Sequence, residues 1–191
     1  DNKDIKDVGI LASADSYRSD PSDLNRFFAY FKQDKQLYIV QFVKSRDFYH
    51  RIYCNDVVKY DVSKKYFVFI DSKGIVHCMK RDGGLPRSFD SEKVDAYIND
   101  QLGNDASHLI PFIDDWFVYF FDPLQLIIRR FAISDEISEI NPIENVISIW
   151  STDGVVIQTY EEDQYYIYIK DIQLESKSNE KCGSLIFVPP E

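Results

Sequence analysis

The three histidines of the chain could serve as metal ligands or as acid–base groups, but their spacing favours neither role. His50, His77 and His108 lie far apart, whereas a zinc site usually draws two of its ligands from a short local spacing. His77 is followed directly by Cys78, and neighbouring side chains of a strand point to opposite faces. We therefore predict no metal site and no cofactor.

No nucleophile stands in a sequence context that would activate it. A catalytic serine needs a strained turn of the G-x-S-x-G type or recognisable His and Asp partners, and the chain contains no such turn. Cys54 could pair with His50 only in an unusual local geometry. The cysteines, at positions 54, 78 and 182, are odd in number and widely spaced. This pattern predicts reduced thiols and favours an intracellular location, with one disulfide and one thiol as the alternative.

Two acidic clusters fall between strand-like segments, where hairpin turns are expected. One is Asp114-Asp115, and the other is Glu161-Glu162 followed by Asp163. Paired carboxyl groups about 5 to 9 Å apart serve glycosidases, but acidic turn residues also keep a protein surface soluble. We treat Asp114, Asp115, Glu161 and Glu162 as candidates for contact with a partner.

The aromatic residues offer a second set of candidates, because the chain has 14 Phe, 13 Tyr and 2 Trp. Each tyrosine hydroxyl needs a hydrogen-bond partner when buried, so some of these rings are expected at the surface. Tyr166 and Tyr168 share one face of a predicted strand, where they form either a recognition patch or part of the sheet core. The aromatic candidates for partner binding are Tyr160, Tyr166, Tyr168, Trp116 and Trp150.

Composition limits the class of protein that positions these side chains. The chain has 191 residues and carries 32 acidic against 22 basic residues, for a formal net charge of −10. A single soluble β-rich domain spanning 1–191 is expected at this length. The acidity argues against nucleic-acid binding, which needs a basic stripe. Apolar runs of about six residues are too short for insertion into a membrane. The start at Asp1 suggests a piece of a larger protein, and 1–20 are expected to form either an extended arm or an edge strand.

Short apolar segments joined by polar turns predict an antiparallel arrangement. Most connections have two to five residues, and parallel neighbours would need a dozen or more. Ser91 to Leu102 is the one predicted helix, with Val94 and Ile98 on one face and Gly103 as its stop. The segment 22–31 fits a helix by its spacing and a strand by its aromatic content. The predicted strands include 37–43, 57–62, 66–70, 75–79, 109–113, 116–121, 126–133, 146–150, 155–160, 165–169 and 184–188.

Three aromatic segments suggest an internal repeat. They begin at Tyr66, Trp116 and Tyr165, which lie 50 and 49 residues apart, and this period is in the range of propeller blades. The segment 115–121, Asp-Trp-Phe-Val-Tyr-Phe-Phe, resembles the aromatic strand of a hemopexin blade. The resemblance implies a four-bladed β-propeller or a piece of one. The family's Asp-Ala-Ala motif is absent, and no cysteine pair links the two ends.

These observations predict a mainly β protein of antiparallel meander sheets, β-propeller-like with about four blades or a propeller fragment, and α+β as the alternative. The function that we expect is a non-enzymatic interaction or scaffold domain that binds another protein. A small acidic inhibitor or immunity-type protein, which would bind a basic partner surface, is the first alternative. A carbohydrate-binding or carbohydrate-acting domain, with Trp116 or Trp150 as a stacking platform, is the second.

Overall fold

The computed structural model describes residues 17–20, 26–33, 36–43, 48–63, 65–80, 90–133, 136–151, 154–170 and 172–176. The chain divides into two compact units, one up to Val58 and the other from Lys59 onward. Most of the predicted arm and the predicted strand at 184–188 lie outside the described residues. The expectation of a single domain stays a prediction.

The first unit holds one antiparallel meander of four strands. They are β1 (Tyr17–Asp20), β2 (Arg26–Gln33), β3 (Gln36–Val43) and β4 (Phe48–Cys54), and they pair in chain order. The ambiguous segment at 22–31 is thus a strand where it is described, because its backbone pairs with β1 on one side and with β3 on the other.

The described residues of the second unit form three further antiparallel meanders and a helix. The second sheet is β5 (Lys59–Val62), β6 (Tyr66–Ile70) and β7 (Val76–Lys80), followed by helix α1 (Ser91–Gln101). The third sheet is β8 (Ile110–Ile113), β9 (Phe117–Asp122), β10 (Ile127–Ala132) and β11 (Ser138–Ile143). The fourth is β12 (Val146–Ser151), β13 (Val155–Glu161), β14 (Gln164–Ile169) and β15 (Ile172–Ser176). The predictions of a mainly β, antiparallel protein with one helix near 91–102 are confirmed for the described residues.

The third sheet lies between the second and the fourth because it is apolar on both faces. On β9, Val118 and Phe120 join a core with β6, β7 and α1. The alternate residues Tyr119 and Phe121 join a second core with β12 and β13. Successive side chains of a strand point to opposite faces, so one buried strand serves both cores. A sheet of this kind is stable only between two other layers.

The first strands of the three sheets meet at a buried carboxylate. Asp61 on β5 is 1% exposed, and its Oδ2 accepts hydrogen bonds from Ile113 N–H at 2.9 Å and from Ser151 Oγ at 2.9 Å. Ile113 ends β8 and Ser151 ends β12. Lys59, also on β5, donates from Nζ to the carbonyl oxygens of Ser107 and Leu109 just before β8. These bonds hold the three first strands together.

Helix α1 occupies the place of a fourth strand in the second sheet. Asn99 accepts from Val76 N–H at 2.8 Å and donates to Val76 O at 2.9 Å, while Asp95 Oδ1 accepts from Cys78 N–H at 2.7 Å. Residues four apart lie on one helix face, so Asp95 and Asn99 reach the same edge of β7. Two helix side chains thus satisfy backbone groups of β7 that a neighbouring strand would otherwise bind.

The structure changes the register of the predicted repeat. The segments that begin at Tyr66 and Trp116 are the second strands of their sheets, β6 and β9. The segment that begins at Tyr165 lies in β14, the third strand of its sheet, and the corresponding second strand begins at Val155. A spacing near 50 residues therefore relates equivalent strands of the second and third sheets but not those of the fourth, where the agreement with 49 is coincidental.

Candidate functional site

The fourth sheet carries an exposed apolar surface on the face opposite its core, mainly on β14 and β15, whereas Ser148 of β12 and Gln158 of β13 are buried on that same face. Ile157 and Tyr168 are cross-strand partners on the core side, so the residues at 160, 165, 167, 169, 172 and 174, which alternate with the core-facing ones along β13, β14 and β15, point the other way. Among these, Tyr160, Ile169, Ile172 and Leu174 are 40%, 41%, 55% and 49% exposed. We call this surface the outer strip; its members are Tyr160, Tyr165, Ile167, Ile169, Ile172 and Leu174.

Backbone pairing makes the outer strip continuous. Tyr160 on β13 faces Tyr165 on β14, and the centres of their rings are 4.6 Å apart. Further along β14, Ile169 is paired with Ile172 of β15. Apolar cross-strand neighbours of this kind form one surface rather than separate exposed residues. The strip therefore presents apolar area across three strands.

An acidic hairpin turn borders the tyrosine end of the strip. Glu162 and Asp163 have φ values of 49° and 63°, the left-handed pair that a two-residue hairpin turn of type I′ requires. Glu161, Glu162 and Asp163 are all exposed. Asp163 Oδ1 accepts a hydrogen bond from the Tyr160 hydroxyl at 2.9 Å. This bond is the largest reason why the pKa of Tyr160 is raised above its usual value.

The tyrosine candidates are divided between the two faces of the sheet. Tyr160 belongs to the outer strip, whereas Tyr166 and Tyr168 point to the opposite face and are half-buried. Tyr168 packs against the second core, and burial raises its pKa. Tyr166 and Tyr168 do share a face, as the alternation of the strand predicted, and Tyr168 contributes to core packing on it.

The two tryptophans have different surroundings. Trp116 lies in the turn before β9 and is 49% exposed, but Lys170 Nζ stands 3.5 Å from the centre of its ring. A cation over the face of an indole ring is a favourable contact, so a sugar stacking on that face would have to displace the lysine. Trp150, on β12, is half-buried.

The acidic candidates at 114 and 115 are engaged in local structure. Asp114 is 4% exposed, and its Oδ1 accepts from the backbone N–H groups of Trp116 and Phe117. Its Oδ2 accepts from the Tyr119 hydroxyl at 2.7 Å. Burial raises the pKa of Asp114, and these hydrogen bonds oppose the rise. Asp115 Oδ1 accepts from Lys65 N–H at 3.1 Å. Both carboxylates therefore shape the turn, whereas Glu161 and Glu162 are open to solvent.

A second polar cluster lies beside helix α1. His77 Nε2 is 2.8 Å from Asp71 Oδ2, and His77 Nδ1 is 4.0 Å from Asp95 Oδ2. Phe69 stacks on the imidazole at 4.5 Å between ring centres. Burial raises the pKa of Asp71, but hydrogen bonds from His77 and from two backbone N–H groups outweigh it and lower the pKa overall. This cluster ties α1 to the turn between β6 and β7.

The described cysteines are buried to different degrees and are not joined in a disulfide. Burial raises the pKa of Cys54 to about 11 and that of Cys78 still further. The thiolate is the reactive form, so both side chains remain protonated thiols at neutral pH. Cys182 and the side chain of His50 lie outside the described residues.

Comparison with known proteins assigns no family to the chain. No protein-family model matches it, and no curated protein sequence matches it. Within the described ranges, no group of three or more His, Cys, Asp or Glu is arranged to hold a metal ion. The one described helix, α1, is too short to cross a bilayer. The outer strip and its acidic border are therefore interpreted from their own chemistry.

The most exposed part of the outer strip was not predicted from the sequence. Tyr160, Glu161 and Glu162 were candidates, and the structure places them together at one end. Ile169, Ile172 and Leu174 were not candidates, because β15 was not predicted as a strand. The signal was present in the alternation Ile172-Gln173-Leu174-Glu175, in which apolar and polar residues take turns as they do in a half-buried strand.

Proposed function

We propose that this protein is a protein–protein interaction domain that serves as a scaffold or as a subunit of a complex. The outer strip carries the proposal, because it gathers large exposed apolar side chains on one continuous sheet face. Contiguous apolar surface of this kind, with a polar border, marks interaction sites on soluble proteins. Tyrosine is also one of the residue types that contribute most to binding at such interfaces.

The three meanders of the second unit support a propeller-like scaffold as the carrier of this surface. Their first strands are held together at Asp61, and the third sheet packs on both faces. Propeller blades are antiparallel meanders arranged in this way, side by side with their first strands innermost. In such a scaffold the outer strip lies on the last described blade, away from the blade that precedes it.

Paired variants test the proposed function. We expect full-length protein, immobilised in an extract of its source cells, to retain a discrete partner. The double variant Ile172→Thr with Leu174→Thr should lose that partner, because it removes apolar contact area from the outer strip. Threonine is β-branched and favours strands, so β15 itself should be retained. Leu124→Thr is the matched control, since Leu124 is 87% exposed in the turn between β9 and β10.

The proposal is contradicted if the unchanged protein, the double variant and the Leu124→Thr control all retain the partner equally. It is also contradicted if only the control loses the partner. A retained partner that is an enzyme and loses its activity on binding would support the acidic-inhibitor alternative, with the outer strip as the inhibitory contact. The measurement is quantitative mass spectrometry of the retained proteins, with circular dichroism to show that each variant is folded.

A further inference from the structure

The backbone and side chains of β15 indicate which kind of partner would fit the outer strip. What we infer from them rests on the proposed function. We infer that the partner adds an extended strand to β15, with apolar residues on the side of the outer strip and lysine or arginine on the opposite side. The occupant is a cationic, alternating segment of another protein.

The backbone of β15 is suited to receive a strand. Among the described residues it is the last strand of the fourth sheet, paired with β14 on one side. Its residues from Ile172 to Glu175 are all exposed. A strand in this position directs half of its N–H and C=O groups away from its neighbour, and these groups are satisfied best by another extended segment.

The side chains of β15 specify which residues the added strand should carry. Ile172 and Leu174 lie on the side of the outer strip, and Gln173 and Glu175 lie on the other side. Residues directly opposite one another on paired strands contact each other, and opposite charges there are favourable. An added strand therefore gains by placing apolar residues beside Ile172 and Leu174 and a cation beside Glu175.

The charge of the surrounding sheet favours the same occupant and disfavours a second copy of the chain. Residues 146–176 contain six acidic residues and one lysine, which is half of the chain's net charge of −10. Two copies joined at β15 would bring these like charges together, and like charges on neighbouring strands are destabilising. A cationic segment would instead be drawn to the sheet by its field, most strongly at low salt.

Four labelled peptides of eight residues test the inference against the full-length protein by fluorescence anisotropy. Three alternate valine with lysine, with threonine or with glutamate, and the fourth has four lysines followed by four valines. We expect the alternating lysine peptide to bind best, at least about threefold more tightly than the threonine peptide, and the glutamate peptide to bind worst. The blocked lysine peptide should bind more weakly than the alternating one because its charge has no period of two.

Two charge-reversal variants locate the site. Glu175→Lys should reverse the order of the lysine and glutamate peptides, whereas Asp100→Lys, the same change at an exposed position on α1, should leave the order intact. Equal binding of the blocked and alternating lysine peptides, or equal effects of the two variants, would overturn the inference.

The outcomes also separate this inference from the proposed function. Suppose that the threonine and lysine peptides bind equally well and that the Ile172→Thr and Leu174→Thr double variant binds neither. The outer strip would then still be an interaction surface, but the inference of a cationic partner would be wrong. Binding of none of the four peptides would overturn strand addition at β15, and the extract experiment would still decide the proposed function. Alternating-lysine binding that requires Ile172, Leu174 and Glu175 supports the inference.

Discussion

The carboxylates of Asp71, Asp95 and Asp114 each accept hydrogen bonds from backbone N–H groups and so hold local structure together. Asp71 Oδ1 accepts from the N–H groups of Lys73 and Ile75 in the hairpin turn between β6 and β7. Gly74 has a positive φ of 79° in the same turn, a conformation that glycine adopts without steric cost. Asp114 was a candidate for contact with a partner but is buried, and the hydroxyl of Tyr119, five residues further on, donates to its carboxylate. Local turn chemistry can be read from neighbours, whereas burial depends on the sheet that packs over the turn.

Asp95 is the residue whose ionisation should make stability depend on pH. Burial raises its pKa from 3.8 to about 6, and the Cys78 N–H and His77 oppose the rise. The folded state therefore binds a proton more tightly than the unfolded chain does. The resulting stabilisation is complete below about pH 4 and is lost as the pH rises through about 6.

We expect Asp95→Asn to gain stability relative to the wild type as the pH rises. The gain in the free energy of unfolding between pH 4.5 and 7.5 should be about 1 to 2 kcal/mol, less than the full linkage value because solvent screens this partly exposed side chain. Urea denaturation at the two pH values measures it. Asp100→Asn, an exposed neighbour on α1, is the control, and a gain that is the same at both pH values would contradict the assignment.

At the scale of elements, alternation and turn residues predicted most of the strands of the second unit. The hairpin of β6 and β7 and helix α1 agree closely with expectation. The strands β11 and β15 of this unit, and β4 of the first unit, were not predicted. β11 was not predicted because it contains Pro142, and proline argues against a central strand. Proline is tolerated on edge strands, and β11 is an edge strand of its sheet among the described residues. β15 was not predicted because every second residue, Gln173 and Glu175, is polar. Polar residues in a short segment suggest a loop unless their alternation with Ile172 and Leu174 is taken into account.

The role of α1 could not be predicted from its own sequence. Its apolar face indicated a helix that packs on a core, but its contact with the edge of β7 depends on Asp95 and Asn99, which are ordinary polar residues in the sequence. Asn99 is 7% exposed and bonds both backbone groups of Val76. Only the position of β7 in the folded sheet gives that side chain its function.

Removing the Asn99 side chain should therefore destabilise the second unit. Asn99→Ala leaves the N–H and C=O of Val76 without their partners at a buried edge, at an expected cost of about 2 to 3 kcal/mol in the free energy of unfolding. Gln101→Ala, an exposed position at the end of the same helix, should change it by less than about 0.5 kcal/mol. Urea denaturation compares the two, and faster amide exchange at Val76 in the Asn99 variant alone would locate the loss. Equal stability of both variants would show that α1 does not hold this edge.

At the scale of the molecule, stacked layers are expected wherever strands are apolar on both faces. The two cores that share β9 confirm this for the second and third sheets and for the third and fourth. The position of the outer strip was beyond prediction, since it depends on which face of the fourth sheet the third sheet covers. That choice placed Tyr166 and Tyr168 on the core side and left Ile169, Ile172 and Leu174 exposed.

Charged residues stand at both ends of the outer strip. The acidic turn at 161–163 stands at one end of the outer strip, and Lys170 is engaged over Trp116 at the other end of β14. Binding at the strip should accordingly combine apolar contact, which salt affects little, with attraction of a cationic partner, which salt screens.

Site-specific photo-crosslinking in an extract of the source cells tests whether the outer strip binds another protein. A benzophenone amino acid replaces Leu174 in one protein and Leu124 in another, since both leucines are exposed but only Leu174 lies on the outer strip. The account predicts a discrete crosslinked partner from position 174 and none from position 124. The same adduct from both positions, or none from position 174, would contradict it.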